Sequence, residues 1–280
     1  YAALRELNPA LIHVSITPYG ETGPKSSWLA TDLTLMASAG PLSMTGDDAL
    51  PPVRVSVPQA WNHAAAEAAS GALIALYERR RSGIGQHLCV SAQQAITLAT
   101  QGNILAEAVG DTSVQRMAGG LKAGELRVRL TYPALDGHIS ITLVFGATVG
   151  PATRRLMEYV CEEGFCDEAT RDKDWIAYGL LLSTGEEPLE EYERVKLCVE
   201  ACTASKTKAE LLKVAMERRL LLAPMTTIAD VYKSDQFESR KYFVKPLGEG
   251  ASANFAYPGA FARFSATPLS PTRRPPRLDE

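Results

Sequence analysis

The stretch Ser56–His87, "SVPQAWNHAAAEAASGALIALYERRRSGIGQH", decides how the chain folds. Pro58 near its front suits a helix start. An alanine-rich run with Gly71 follows, and its small side chains let another element pack close. The basic residues Arg79–Arg81 complement the negative end of a helix dipole, and a Gly-x-Gly turn then leads into a strand. The spacing predicts one long helix over Gln59–Arg81. The front of that helix carries Trp61, Asn62 and His63, with no carboxylate.

Before this helix, Asn8–Thr17 ("NPALIHVSIT") is a turn followed by an apolar, β-branched run, which reads as a buried strand. Pro18–Trp28 is a loop rich in glycine and proline at that strand's C-terminal end, the edge where ligands collect in open α/β sheets. Thr31–Gly40 suits a short helix with Thr31 as N-cap, Asp32 in the first turn and Gly40 as the stop. After the long helix, a short strand and a second helix over roughly Ser91–Val109 are expected.

Composition shifts after Gly110. "DTSVQRMAGGLKAGE" is polar and reads as a linker. Leu126–Phe145 ("LRVRLTYPALDGHISITLVF") reads as a β-hairpin turning at Asp136-Gly137. Helices are expected near Val149–Glu163 and Pro188–Ala204, and Thr207 with Glu210 forms a capping box that starts another. From Leu221 a short apolar run and small helices follow, and then an extended, proline-rich tail. An α/β pattern, a middle α+β segment and a return imply a small domain inserted into a larger one, divided as 1–112, 113–225 and 226–280.

The totals exclude several classes. The chain has 280 residues, of which 46% are hydrophobic and 22% charged, ordinary usage for a globular protein. A net charge of −3 is too small to steer it to nucleic acid or an anionic membrane. The basic residues are dispersed apart from Arg79–Arg81 and Arg273–Arg277. No apolar run reaches the roughly 18 residues of a membrane span, and no signal peptide is recognisable. The first residue is Tyr1, inside what reads as a helix end, so a piece of a longer protein is expected. The five cysteines, Cys89, Cys161, Cys166, Cys198 and Cys202, point to reduced, inert thiols and a cytoplasmic protein. Cys198 and Cys202 lie one helical turn apart and could face each other. No histidine is close in sequence to complete a metal site, so none is expected.

Taken in order, "LNPALIHVSITPYGETGP", "TD…ASAG", "TG" and "ALIALYERRRSGIGQHLCVSAQQA" resemble the class III CoA-transferases, the CaiB/BaiF family. The resemblance continues through "YPALDGHISI", the segment Thr203–Phe243 and "YPGAFARFSATPLSPTRRPPRL". It implies a Rossmann-like large α/β domain, here partial, with an inserted smaller α+β domain. The resemblance begins after the family's opening Rossmann-like portion and stops before its last helical segment, as expected of a piece of a longer protein. The expected assembly is a dimer of interlocked, ring-like chains, homomeric or heteromeric. The implied reaction moves CoA from an acyl-CoA to a carboxylic acid. The CoA thioester is a substrate, and no cofactor is expected. Related α-methylacyl-CoA racemases transfer a proton at the α-carbon.

In those transferases an aspartate at the front of the long helix attacks the thioester. It forms a mixed anhydride and then carries CoA as an aspartyl thioester. Only an ionised carboxylate can pass through both species. Counting back from "GIGQ" without a gap places that position at Trp61, and an indole N–H is a donor only. No Asp or Glu lies between Asp48 and Glu67. Glu67, six residues beyond Trp61, is turned about 600° around the helix and points elsewhere. The resemblance therefore implies a chain without its own nucleophile, with His63 as the candidate acid/base beside the vacant position. Asp32 falls where the family commonly has an acidic residue. It could line the CoA or acyl pocket, or serve the dipole of its own helix. In the racemases a histidine acid/base precedes that position, and here the residue is Thr31. Gly119-Gly120 resembles a glycine loop that covers the active site in some relatives, but also reads as plain linker. His13 reads as structural, its ring nitrogens needing partners, and His138 as a surface residue.

Overall fold

A computed structural model describes residues 1–109, 116–123, 126–245 and 256–269. Helix α1 (Ala2–Leu7) leads into strand β1 (His13–Thr17). Then come α2 (Asp32–Ser38), a 3-10 turn at Pro41–Met44, α3 (Ala60–Ser82), β2 (His87–Ser91), α4 (Ala92–Thr97) and α5 (Gln101–Ala108). The ribbon β3 (Gly120–Ala123) and β4 (Leu126–Arg129) is followed by β5 (Thr131–Ala134) and β6 (Gly137–Ile141). The helices α6 (Gly150–Glu162), α7 (Glu168–Arg171), α8 (Tyr178–Thr184), α9 (Leu189–Ala204) and α10 (Lys208–Arg218) precede β7 (Leu222–Pro224). Last come α11 (Ile228–Tyr232), α12 (Asp235–Ser239), β8 (Phe243–Val244) and β9 (Tyr257–Pro258). The chain divides into two compact units, Tyr1–Ala223 and Pro224–Glu280.

Strands β1 and β2 pair in parallel, His13 opposite His87 through Thr17 opposite Ser91. Parallel neighbours need a crossover, and α2 with α3 supply it. Helix α3 buries Ala60, Ala64, Ala68 and Ala75, a stripe at helical spacing. Its Gly71 lies so near β2 that a Cβ there would come within 2.6 Å of Leu88 Cδ2. Gly83, in the left-handed conformation, ends the helix, and Arg79 reaches across to the Ala10 carbonyl at 3.2 Å. A first core gathers Leu35, Met36, Ala64, Ala95 and Ile96.

A second core forms in the same unit from Tyr132, Ile139, Leu143, Met157, Val160, Trp175, Tyr178, Tyr192 and Val199. Here β5 pairs antiparallel with β6, and β7 lies beside β6. The β1–β2 pair and the β5–β6–β7 sheet are separate sheets.

Several expected elements shift. Ala134 pairs with Gly137, so Leu135 and Asp136 make the turn, and Gly137, at φ +148°, opens β6 instead. The reason is tertiary: Asp136 Oδ1 accepts the Lys208 N–H at 2.7 Å and the Leu135 N–H donates to the Lys206 carbonyl at 2.8 Å, which docks the turn on the start of α10. "LRVR" does not join that hairpin. It pairs with Gly120–Ala123, residues expected to be linker. The helix expected over Ser91–Val109 breaks into α4, a 3-10 turn at Leu98–Thr100 and α5. Helix α2 does stop where expected: Ala39 is its C-cap and Gly40, at φ +99°, follows as the glycine that ends it. The 112/113 boundary, residues 111–115 and 124–125 of the expected linker and Arg273–Arg277 lie outside the described residues.

Gly85 shows how tightly the starts of β1 and β2 are joined. Its N–H donates to the Pro9 carbonyl at 2.9 Å, and a Cβ would lie 2.0 Å from the Leu11 carbonyl oxygen. Backbone cannot yield as a side chain does. Gly85→Ala is expected to cost about 3 kcal/mol, the upper end of overpacking penalties, read as a lower urea midpoint with intact helical circular dichroism at zero denaturant.

Candidate functional site

The front of α3 is built from two helices. The N-cap residue Gln59 makes no side-chain capping bond, and the first turn holds no acid. Four N–H groups at a helix start lack intrahelical partners. Asp32, at the start of α2, supplies the acceptor from outside: its Oδ1 takes the Gln59 N–H and the Ala60 N–H, each at 2.8 Å. Asp32 is itself fixed because Thr31 and Thr34 form a reciprocal capping box around the start of α2. The carboxylate thus sits at the positive end of α3, where an anion is favoured. Sequence reading offered Asp32 a pocket or its own helix. The geometry gives it the neighbouring helix, 27 residues on.

Trp61 follows directly, as the second residue of α3. It is half-buried and packs against the first core beside Val55, Leu42 and Val90. Its neighbours along the helix, Ala60 and Ala64, are fully buried in that same core. His63 is half-buried, two residues and about 200° further around the helix. Asn62 turns back to donate from Nδ2 to the Pro58 carbonyl at 2.9 Å. Glu67 is exposed and lines a different cavity of about 400 Å³, with Gly71, Leu88, Ser91, Gln94 and Leu98. The acid nearest Trp61 along α3 therefore opens on the β2–α4 groove.

The remaining candidates divide. Gly119 has φ +64°, and a Cβ on Gly120 would lie 2.4 Å from the Val128 carbonyl oxygen, so both glycines are required by the β3–β4 ribbon. His138 is exposed on β6. The His13 and His87 rings meet at a tilt, centroids 4.9 Å apart, and His87 Nε2 hydrogen-bonds the Ser15 hydroxyl at 2.8 Å. The buried His13 Nδ1 has no hydrogen-bond partner among the described residues. Burial pushes the thiols of Cys166 and Cys202 up to about 12, which suits inert sulfur. Cys89 departs from that pattern and is exposed. Among the described residues, no three His, Cys, Asp or Glu side chains converge as a metal site would require.

The fold matches the crystal structure of a CaiB/BaiF family protein from Brucella suis, with a TM-score of 0.78 at 21% identity, over 100% of this chain and 68% of that one. The chain belongs to the CoA-transferase family III, whose model matches residues 1–280. It is 30% identical over 282 residues to the succinyl-CoA:(R)-benzylsuccinate CoA-transferase subunit BbsE of Thauera aromatica, covering 100% of this chain and 66% of the relative. It is 25% identical over 284 residues to the succinyl-CoA:mesaconate CoA-transferase of Haloarcula hispanica, covering 67% of that protein. The chain thus spans about two thirds of the length of these relatives.

If Asp32 caps α3, Asp32→Ala removes an acceptor for two N–H groups and costs about 2 kcal/mol, the upper range for a cap. Asp32→Asn keeps one carbonyl oxygen and is expected to cost less than half as much. Urea denaturation of both variants, followed by tryptophan fluorescence, measures the difference.

Proposed function

We propose that this chain serves a CoA-transferase that moves CoA between an acyl-CoA and a carboxylic acid, as the subunit that does not carry the nucleophile. One observation carries the reading: where the α3 opening would offer a carboxylate, it offers Trp61, half-buried and packed against the first core. Asp32 serves a different task, its Oδ1 accepting from two backbone N–H groups of that same opening. The likeness to a relative whose name marks it as a subunit supports a heteromer. In this reading the partner's aspartate forms the anhydride and the aspartyl thioester, and Trp61 fills the corresponding place here. CoA is a substrate and no cofactor takes part. We assign the assembly as an interlocked dimer and the compartment as the cytoplasm. Exposed Leu73, Ile74 and Tyr77 on α3 support a partnered helix face.

We also assign residues 1–112 and 226–280 to a Rossmann-like large domain and 113–225 to an inserted α+β domain. The two separate hydrophobic cores within Tyr1–Ala223 support that division. A second reading, a CoA-thioester binding protein without catalysis, rests on the same Trp61. A third, proton transfer at the α-carbon, rests on His63.

Thioester exchange with several acyl-CoA donors and carboxylic acids separates them. The full-length homomer is expected to show no transfer, and addition of an Asp-bearing paralogue to restore it. Trp61→Asp alone is expected to recover under about 1% of the mixed activity, because attack needs atoms held roughly 3–3.5 Å apart and donors set for the oxyanion. The indole's replacement also leaves a cavity and an added charge. Robust turnover by the wild-type homomer overturns the assignment and makes His63 the first residue to substitute.

A further inference from the structure

The two cores of Tyr1–Ala223 meet at few polar contacts. Among the described residues, the hydrogen bonds and ion pairs joining 1–109 to 116–223 converge on one loop, Asp47–Leu50. Asp48 Oδ2 meets Arg127 at 2.5 Å and Lys122 Nζ at 3.3 Å, and Asp48 Oδ1 accepts a second Arg127 bond at 3.3 Å. Arg116 donates from Nε to the Asp47 carbonyl at 2.8 Å and from its guanidinium to the Leu50 carbonyl. Three cations from the segment Arg116–Arg127 thus clasp one short turn. Its carboxylate is less than one quarter exposed, at 23%.

Both ends of this clasp are anchored. On one side, the Val53 N–H donates to the Thr45 carbonyl at 3.1 Å and the Thr45 hydroxyl to the Val53 carbonyl at 2.6 Å, closing the loop at its base. Two residues on, Val55 packs in the core that holds Trp61. On the other side, Lys196 on α9, only 7% exposed, donates to the Arg127 carbonyl at 3.1 Å. Arg129 pairs with Glu200 of α9 and lies over the Tyr132 ring at 4.8 Å. The ribbon is therefore fixed to the second core, and the loop to the first.

We propose that Asp48 is an ionic latch that holds the β3–β4 ribbon, and with it the second core, against the loop leading into α3. A bidentate carboxylate–guanidinium pair with an added ammonium is well suited to this, because it fixes geometry as well as distance. The arginine holds the Asp48 carboxyl down to about 2, so the latch is charged at any neutral pH. Neutralising it removes the carboxylate charge that Lys122 and Arg127 both meet on the loop and loosens the turn. The latch is independent of which subunit carries the nucleophile.

Hydrogen exchange on the full-length protein tests this. Asp48→Asn keeps the shape and removes the charge. Amides of Thr45–Val53 and Gly120–Ala123 are expected to exchange about tenfold faster, the factor for losing a charge-assisted hydrogen bond, while those of α6 and α9 hold their rates. Lys122→Gln should give a smaller acceleration in the same two segments. The exchanged pair Asp48→Arg with Arg127→Asp should restore part of the protection that either single change removes. Unchanged rates in both segments on Asp48→Asn overturn the latch. So does an equal acceleration across α6 and α9, which would make Asp48 a residue of general stability.

Discussion

The carboxylate of Asp32 at the front of α3 is the contact on which the candidate site depends. A helix opening that lacks its own cap is normally paired with water or frays. Here two of its N–H groups are closed by a residue from another helix, at 2.8 Å each. That bond fixes the start of α2 against the start of α3, and the direction of α3 follows from it. Trp61 is placed by this cap as much as by its own packing, since it is the residue after the second capped N–H.

The long helix reaches β1 and β2 because its inner face is nearly smooth. Buried Ala60, Ala64, Ala68 and Ala75 let backbone approach backbone, and Gly71 takes the closest contact with Leu88. Such a face contributes little apolar area per residue. Stability in this part of the molecule must therefore come from the larger side chains set against it, Leu35, Met36 and Ile96 among them. The second core is built differently. Phe145, Trp175, Tyr178 and Tyr192 make stacked, edge and tilted ring contacts 4.9 to 6.5 Å apart, and the Trp175 indole N–H is satisfied by the Arg171 carbonyl. Aromatic area carries that core and small-residue closeness the first.

Family membership and the local chemistry of α3 pull in different directions, and the geometry shows where. The whole chain matches the CoA-transferase model. An anhydride mechanism nevertheless needs a carboxylate free to attack, and the acids around the α3 opening are engaged or displaced. Asp32 is held by backbone donors, Asp48 by Lys122 and Arg127 in another loop, and Glu67 lines the β2–α4 groove. The proposed subunit role asks none of these side chains to leave its present partners.

The amino-acid order by itself determined the elements whose signals are local. The alanine stripe and Gly83 define α3, Thr31 caps α2, the Thr207–Glu210 box starts α10, and the apolar run His13–Thr17 makes a strand. It also showed that no acid stands at Trp61, since that needs only a count along one helix. Tertiary structure decided what depends on partners distant in the chain. The hairpin turn moved by one residue because α10 grips Asp136, and Gly120–Ala123 became a strand because "LRVR" lay beside it. Asp32 became the cap of α3, and Asp48 the meeting point of Lys122 and Arg127, across 27, 74 and 79 residues. A hydrogen bond between residues that far apart leaves no periodicity or spacing in the sequence, because only the folded backbone brings its donor and acceptor within reach.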